Sequence, residues 1–560
     1  MTVRVIVPCS GISLRRVLPL LALLLLPLGV SAQSLSIVSG NNQTLVPNQA
    51  SQPLVVQARD SAGAALVGAA ISWASPNATA SIVSSTKTDS AGQSSNRLTA
   101  ILPGNYTVTA QLINANGGAA ASVTFSFNNG VSNLGALTPG QNAVAHAIDV
   151  ACPALATSPT PISTPQSDFL NRCSEVVVGA GRAEIPTVLE AMLNNKTQPQ
   201  AQMSNNIQNT QSTNLTARMT ALRAGAQGAN FGGLAMVSGG KGLSLGSFGD
   251  MLRKDQGGAE VGSEFSRWGF FANGMITRGS FDANESRPGF DSSGAAITAG
   301  FDYRFSDTFV GGLAFGYNND SSDLDQNAGK LEVDGYSLNG YFVWYHNYFY
   351  VQTSVEFNQL DFDLKRNIIY QIAAIDGSGG TTTVNQVAKA SPSGDQQAID
   401  LSVGRDFNSG ALQVSPYLRG TWSHLSLDGF SETIDSTAAG FGLATEVEKR
   451  SRTSVLGVIG GLFSYTSSQD WGVLTPNARL EYSHNFKDNP QVVTSYFVSD
   501  PTHTGIVVSD PRLDRNFYTL GFGLNALWPQ GRSGYLSYEY VTGLTGGHLN
   551  RFQAGFRIEF

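Results

Sequence analysis

Beyond residue 32 the sequence has no apolar run long enough for a membrane-spanning helix, which needs about 20 residues. If the mature chain crosses a membrane, only a closed β-barrel is left, because backbone in lipid must satisfy its own hydrogen bonds. Charge is also scarce: Asp, Glu, Lys and Arg make up 13% of the 560 residues. That is low for a soluble enzyme, and a formal charge of −7 argues against nucleic acid as a partner. Six histidines are scattered without ligand spacing, so no metal motif is legible. No catalytic triad or phosphate loop appears, and nothing requires a cofactor. Three cysteines are too few for a disulfide-dense scaffold. Glycine, by contrast, occurs 61 times, phenylalanine 29 and tyrosine 17. Abundant glycine and aromatics with little charge suit a barrel whose outside meets lipid and whose rims carry aromatic girdles.

The first 32 residues read as a secretory signal. Arg4, Arg15 and Arg16 form the basic region, Val17 to Val30 the leucine-rich core, and Val30-Ser31-Ala32 a small-residue cleavage site before Gln33. Such a leader is read by the Sec translocon. The alternative, an uncleaved anchor, is disfavoured by the short apolar run. Removing the leader removes three arginines and no acid, moving the formal charge to −10. Cys9 goes with it, leaving Cys152 and Cys173, whose separation in an exported chain suggests one disulfide. Metal binding is the alternative for that pair.

From Trp268 onward, apolar and polar residues alternate, as on the two faces of a strand. Ile297, Ala299, Phe301, Tyr303 and Phe305 interleave with Thr298, Gly300, Asp302 and Arg304. Phe349, Val351, Thr353, Val355 and Phe357 interleave with Tyr350, Gln352, Ser354 and Glu356. About twelve such segments are expected, at 268–281, 294–305, 309–319, 331–345, 348–364, 397–407, 411–425, 450–466, 471–486, 514–528, 533–542 and 548–560. Their connections alternate. Short turns fall at Ser306 to Thr308, His346-Asn347, Asn408 to Gly410, Ser467 to Asp470 and Pro529 to Arg532. Long loops are expected at Arg366 to Gln396, Ser426 to Lys449 and Lys487 to Leu513. A soluble sandwich has no reason to segregate its loops, whereas an outer-membrane barrel does. The chain closes on Phe552, Ala554, Phe556, Ile558 and Phe560. An amphipathic strand ending on an aromatic resembles the signal read by the barrel-assembly machinery.

These features together resemble the autotransporter β-domain of type V secretion. The resemblance is carried by Arg267-Trp268-Gly269, Asp334-Gly335-Tyr336, Pro416-Tyr417 with Gly429-Phe430, Arg479-Leu480-Glu481-Tyr482 and the terminal Phe560. It covers about 255–560 and implies a twelve-stranded transmembrane barrel in outer-membrane lipid, with a preceding helix threading its lumen.

Residues 131–254 read as a partly helical linker, neither strand-like nor compact. Pro153 to Pro165 looks extended, Asp168 to Leu193 and Ser212 to Ala224 look helical, and Gly225 to Gly249 looks flexible. Leu215, Met219 and Leu222 share a helix face. This second helix, or Phe248 to Arg253, is the candidate for the pore. Its Arg218 and Arg223 are expected to meet Glu356, Glu481, Glu539 or Glu559.

Residues 33–130 show short β-type runs at Leu54 to Ala58, Ala70 to Ala74, Arg97 to Ile101, Tyr106 to Leu112 and Ser122 to Phe127. Asp60-Ser61-Ala62-Gly63 and Asp89-Ser90-Ala91-Gly92 supply turns between them. Length and spacing indicate an immunoglobulin-like sandwich with Trp73 in a core strand. The run Pro53 to Asp60, Gly63, Gly68 and Trp73, then Thr88-Asp89, Gly92 and Pro103 to Ala110, resembles a bacterial Ig-like repeat of the intimin and invasin group. In that group such modules are spacers and adhesive stalks, which implies a surface ligand of unknown identity.

The whole is therefore expected to be all-β apart from the linker, and not an enzyme. Two alternatives stand beside this reading. One is a porin-like channel with a periplasmic N-terminal domain. The other is a hydrolase using Ser244, since Gly242-Leu243-Ser244-Leu245-Gly246 fits a nucleophile elbow but lacks the strand and helix that motif needs. Gly521 to Ala526 matches a dinucleotide fingerprint by letters only, inside a barrel strand.

Overall fold

A computed structural model describes residues 32–195, 199–223, 268–284, 288–375, 379–487, 491–510, 514–528 and 532–557, with short strands at 230–231, 236–238 and 241–243. The leader, Phe248 to Arg253, Ser244, Glu559, Ile558 and Phe560 lie outside these residues. Two compact units are present, one within the N-terminal domain and one comprising the helices and the barrel.

In the N-terminal unit, strands Ser34–Ser39, Leu54–Arg59 and Gln93–Asn96 form one sheet. Ala119–Asn129, Gly104–Ile113, Ala70–Ala74 and Ser85–Lys87 lie in a second. Alternate residues point inward, so Leu54, Val56, Ile71, Val108, Leu112 and Phe125 are fully or almost fully buried. Trp73 is in this core as expected. Its ring lies 5.9 Å from Phe125, and its buried indole N–H donates to Thr86 Oγ1 at 2.7 Å.

The barrel has twelve antiparallel strands. They are β1 (Trp268–Phe281), β2 (Phe290–Ser306), β3 (Phe309–Leu324), β4 (Gly329–His346), β5 (Phe349–Ala373) and β6 (Ser393–Arg405), followed by β7 (Leu412–Leu427), β8 (Arg450–Tyr465), β9 (Gly472–Asn485), β10 (Asn516–Trp528), β11 (Arg532–Leu544) and β12 (Gly547–Arg557). Each pairs with the next, and β1 pairs with β12 from Gly274↔Ala554 to Phe281↔Gly547, which closes the sheet and leaves no edge.

The barrel is inside out relative to a soluble protein. Phe301 is 40% exposed while its neighbour Asp302 is 3% exposed. Phe315, Leu338, Phe357, Leu480 and Phe522 face outward, and Asn339, Ser354, Glu356, Glu481 and Thr519 are buried inside. Water outside such a wall would meet apolar side chains on every strand, so its outer solvent must be lipid. Aromatic rows flank the apolar band. At the short-turn end Trp268, Tyr303, Phe305, Phe309 and Phe342 form a chain of ring contacts 4.9 to 5.8 Å apart. Toward the other end, Tyr317 meets Tyr336 at 5.3 Å and Tyr482 meets Tyr518 at 5.4 Å.

Two sequence expectations require correction. The long connections are not plain loops. β5 runs on to Ala373 and forms a hairpin with Thr381–Ala390. Gln491–Phe497 and Ile506–Asp510 form another hairpin, whose first strand also pairs with Thr445–Val447. The linker is partly helical as expected, but the stretch expected to be extended, Pro153 to Pro165, is helical at both ends. It contains helices α1 (Pro139–Ala156), α2 (Thr164–Val178), α3 (Ile185–Met192) and α4 (Pro199–Arg223), and Pro153 lies within the last turn of α1. Thr138 with Gln141, and Ser163 with Gln166, form capping boxes that start α1 and α2.

α1, α2 and α3 build a core from Val144, Ile148, Leu155, Phe169, Val176 and Leu189. That core continues into Ile368, Tyr370 and Ile372 of β5 and into Phe497 and Ile506 of the second hairpin. Cys152 and Cys173 are joined by a disulfide between α1 and α2, Cα to Cα 5.9 Å. Closing a loop of this length stabilises by about 3 kcal/mol in the chain-entropy model. Reducing it, or replacing both cysteines by serine, should therefore make the helices protease-sensitive while leaving barrel unfolding unchanged. Limited proteolysis with and without reductant checks this.

Candidate functional site: the barrel lumen and its helix

α4 is polar around most of its circumference (QAQMSNNIQNTQSTNLTARMTALR after Pro199), a composition that forms no stable isolated helix. It is stable here because the lumen wall supplies partners for many of its polar groups, while Ser204 and Thr213 bond back to the helix's own carbonyls. Gln208 donates to Glu356 at 3.3 Å and Ser212 to Asp400 at 3.0 Å. Gln211 accepts from Thr298 at 2.6 Å. Asn214 donates to Thr298 at 2.9 Å, and it accepts from Asn273 at its carbonyl and from Gln553 at its side chain, both at 3.1 Å. Apolar contacts fill the remainder. Ile207 packs with Val333, Leu360 and Leu425, and Leu215 and Met219 pack with Phe271, Val310 and Val343.

The approach is close at two glycines of the wall, where an added side chain would have to displace the ends of helix side chains. A Cβ at Gly316 would lie 2.3 Å from Gln211, and one at Gly269 would lie 2.7 Å from Arg218. Both glycines face the lumen where the helix passes.

The two arginines are bound, though not by the expected glutamates. Arg218, 1% exposed, donates through Nε to Asp302 at 2.8 Å, and Tyr341 donates to the same carboxylate at 3.1 Å. Arg223 donates to both oxygens of Asp406 at 2.9 Å and lies 3.5 Å over the ring of Tyr350. Among the expected partners, Glu356 holds Gln208, while Glu481 and Glu539 pair with wall arginines. Arg419 meets Glu481 at 3.2 Å, Arg551 meets Glu539 at 3.5 Å, and Arg479 bonds to Glu539. Glu539 stands directly opposite Arg551, and Glu481 lies two residues from Arg479 on the same strand and within reach of Arg419, so both are paired without the helix.

Asp406 lies in the short turn between β6 and β7, so α4 ends at the short-turn end. Its other end meets Arg450 at the start of β8, through Gln200, at the end with long connections. α1, α2 and α3 sit at that end and are clasped there. Asp168 of α2 accepts from the backbone N–H groups of Gly440 and Gly442 at 3.0 and 2.8 Å. Arg366 binds Glu432 through two hydrogen bonds of 2.8 and 2.6 Å, and Asn194 donates to Glu432 and to Thr445 at 3.2 and 2.7 Å. Glu175 accepts from Arg172 and Thr382, both at 2.6 Å. Burial pushes the Glu175 carboxyl above its usual range, as it does for Asp149, against the hydrogen bonds each accepts. Sequence reasoning missed Asp302, Asp406, Arg366 and Glu432. Only Arg366 stood out by position, as a charge in a run otherwise alternating toward Ile368, Tyr370 and Ile372.

Among the described residues no cluster of three or more His, Cys, Asp or Glu could hold a metal ion. What the site does have is a wall, an axial helix and a clasped entrance. The sequence profile of the family described as "Autotransporter beta-domain" matches residues 270–539. The barrel of this chain is an autotransporter β-domain. A second profile, "Bacterial Ig-like domain (group 1)", matches residues 34–128, so the N-terminal unit is an Ig-like domain of that group. As an autotransporter barrel it is an outer-membrane domain.

Among solved structures, the chain is similar to the translocator domain of the autotransporter NalP from Neisseria meningitidis. Identity there is 15%, coverage 56% of this chain and 96% of that one, and the TM-score 0.39. It is also similar to the transport unit of AIDA-I from Escherichia coli, at 15% identity, 56% and 97% coverage and a TM-score of 0.33. Among curated proteins it is 23% identical to the esterase EstA of Pseudomonas aeruginosa over 265 residues, 46% of this chain. The chain spans 38% of the length of that relative.

Proposed function

We propose that this chain displays its Ig-like domain on the cell surface, held there by its own barrel, and that the domain serves adhesion. The observation that carries the reading is the path of α4. The helix traverses the lumen from the clasped entrance to the periplasmic turns, so everything N-terminal to it emerges on the outer side. On this reading Ala32-Gln33 is the leader cleavage site after Sec export, and Phe552, Phe556, Ile558 and Phe560 form the strand read by the barrel-assembly machinery. The ligand is a host, matrix or neighbouring-cell molecule of unassigned chemistry.

External protease on intact cells tests display. Digestion of the Ig-like domain with the barrel left intact is expected. Full protection until the outer membrane is opened would instead support a channel with a periplasmic domain.

The likeness to EstA favours a second reading, a hydrolase. This chain spans only 38% of the length of that esterase, and Ser244 lies outside the described residues. Ester hydrolysis by whole cells that is lost in Ser244→Ala would establish it.

A further inference from the structure

A cavity of about 330 Å³ opens on the lipid-facing side of the barrel, not in its lumen. It is lined by Arg278 and Ser280 of β1, Asp291 of β2, Asp323 of β3, and His548 and Asn550 of β12. Register places these side chains in two stacked cross-strand rows. The upper row is His548, Ser280, Asp291 and Asp323, and the lower row holds Asn550 and Arg278. One row closer to the membrane, on the same face, Ile276 pairs with Phe552, and they are 42% and 47% exposed. The site is thus amphipathic, with a charged recess directly above a greasy step on the wall that lipid covers.

Its one arginine is not used by the fold. Arg278 has no hydrogen-bond or ion-pair partner among the described residues. Asp291 and Asp323 stand directly opposite each other, an arrangement that repels unless donors or cations lie beside them; Lys330, opposite Asp323 on its other side, offsets part of that charge. We propose that this recess binds the headgroup of a phosphorylated glycolipid in the outer leaflet. Arg278 and His548 take the phosphate oxygens by charge-assisted hydrogen bonds. The two carboxylates accept from the sugar hydroxyls, Asn550 donates to them through its amide N–H (its Oδ1 already accepts from Tyr538 at 2.7 Å), and Ile276 and Phe552 support the acyl chains. The carboxylates make the site selective: a bare phosphate meets two repelling acids, whereas a phosphosugar brings hydroxyls that satisfy them.

The inference rests on the outer-membrane setting of the barrel. It is tested on the full chain in mild detergent, whose fold is checked first by a heat-dependent shift in gel mobility. Failure of that check sinks the membrane reading and not the site alone. Binding is read by native mass spectrometry with three probes: a bis-phosphorylated, acylated glucosamine disaccharide, phosphatidylglycerol and inorganic phosphate. The glycolipid should bind, phosphatidylglycerol should bind more weakly, and inorganic phosphate should not compete. The double variant R278A/H548A removes two charge-assisted hydrogen bonds and should weaken glycolipid binding by about tenfold or more. R405A serves as a control, because Arg405 lies at the opposite rim between Phe349 and Phe407 and should leave binding unchanged. D291N/D323N relieves repulsion, so it should fold at least as well and should lose the discrimination against phosphatidylglycerol. Equal binding of both lipids by the unaltered chain, unchanged affinity in R278A/H548A, or retained discrimination in D291N/D323N would each overturn the proposal.

Discussion

Replacing Arg218 by alanine is expected to produce the largest loss of barrel stability of any single change in the lumen. The guanidinium is buried, bonded to Asp302 and set 5.1 Å over the ring of Phe271. Its removal leaves Asp302 buried with only the Tyr341 hydroxyl to offset its charge. Stranding one member of a buried pair costs about 3–5 kcal/mol, far more than the net worth of the intact pair. Asp302→Ala should be as damaging for the mirror reason. The double variant should be milder than the two single losses added, because no isolated charge remains. The measurement is the temperature at which the compact, unboiled form is lost in detergent. It should fall clearly in both single variants and recover part of the way in the double.

Glu432→Ala should act on a different part of the molecule with comparable size. This carboxylate receives Arg366, Asn194 and the backbone and hydroxyl of Thr445, so it joins the β5 extension, the end of the helical segment and the connection after β7. Its removal leaves Arg366, itself 2% exposed, without a counter-charge at a cost of about 3–5 kcal/mol. Release of α1, α2 and α3 from the barrel entrance is the expected consequence, with the wall itself intact. Limited proteolysis should therefore cut within 139–193 while heat-dependent mobility persists. Loss of both together would show that entrance and wall unfold as one unit.

The barrel was legible in the sequence because lipid imposes one rule on every strand. Outward positions must be apolar, so Phe301, Leu313, Phe315 and Phe357 recur at a spacing of two, and the turns between strands are short on one side. The helical segment was only half legible. α4 stood out through Leu215, Met219 and Leu222, yet its polar partners are set by the closed wall, where residues distant in sequence face one point. Nothing local in the sequence says that Arg218 meets Asp302 and not Glu481. α1 was obscured by Pro153 and its many small residues. Even so, Thr138 with Gln141 and the apolar set Val144, Ile148, Ala151 and Leu155 carry a helical signature. The hairpin after β5 was hidden for a related reason. Its outer face carries Thr381, Thr383, Asn385 and Lys389 like a loop, while Val384 and Ala388 on its inner face join the core that α1, α2 and α3 build.

The account depends on the solvent around the barrel, and one experiment addresses that directly. The full chain, extracted from outer membranes in mild detergent, is run on a gel without and with boiling. A closed barrel should migrate as a compact species that shifts to its full apparent mass only after heating. Identical mobility in both lanes, for a chain that also fails to sediment with outer membranes, would contradict the assignment of lipid to its outer face.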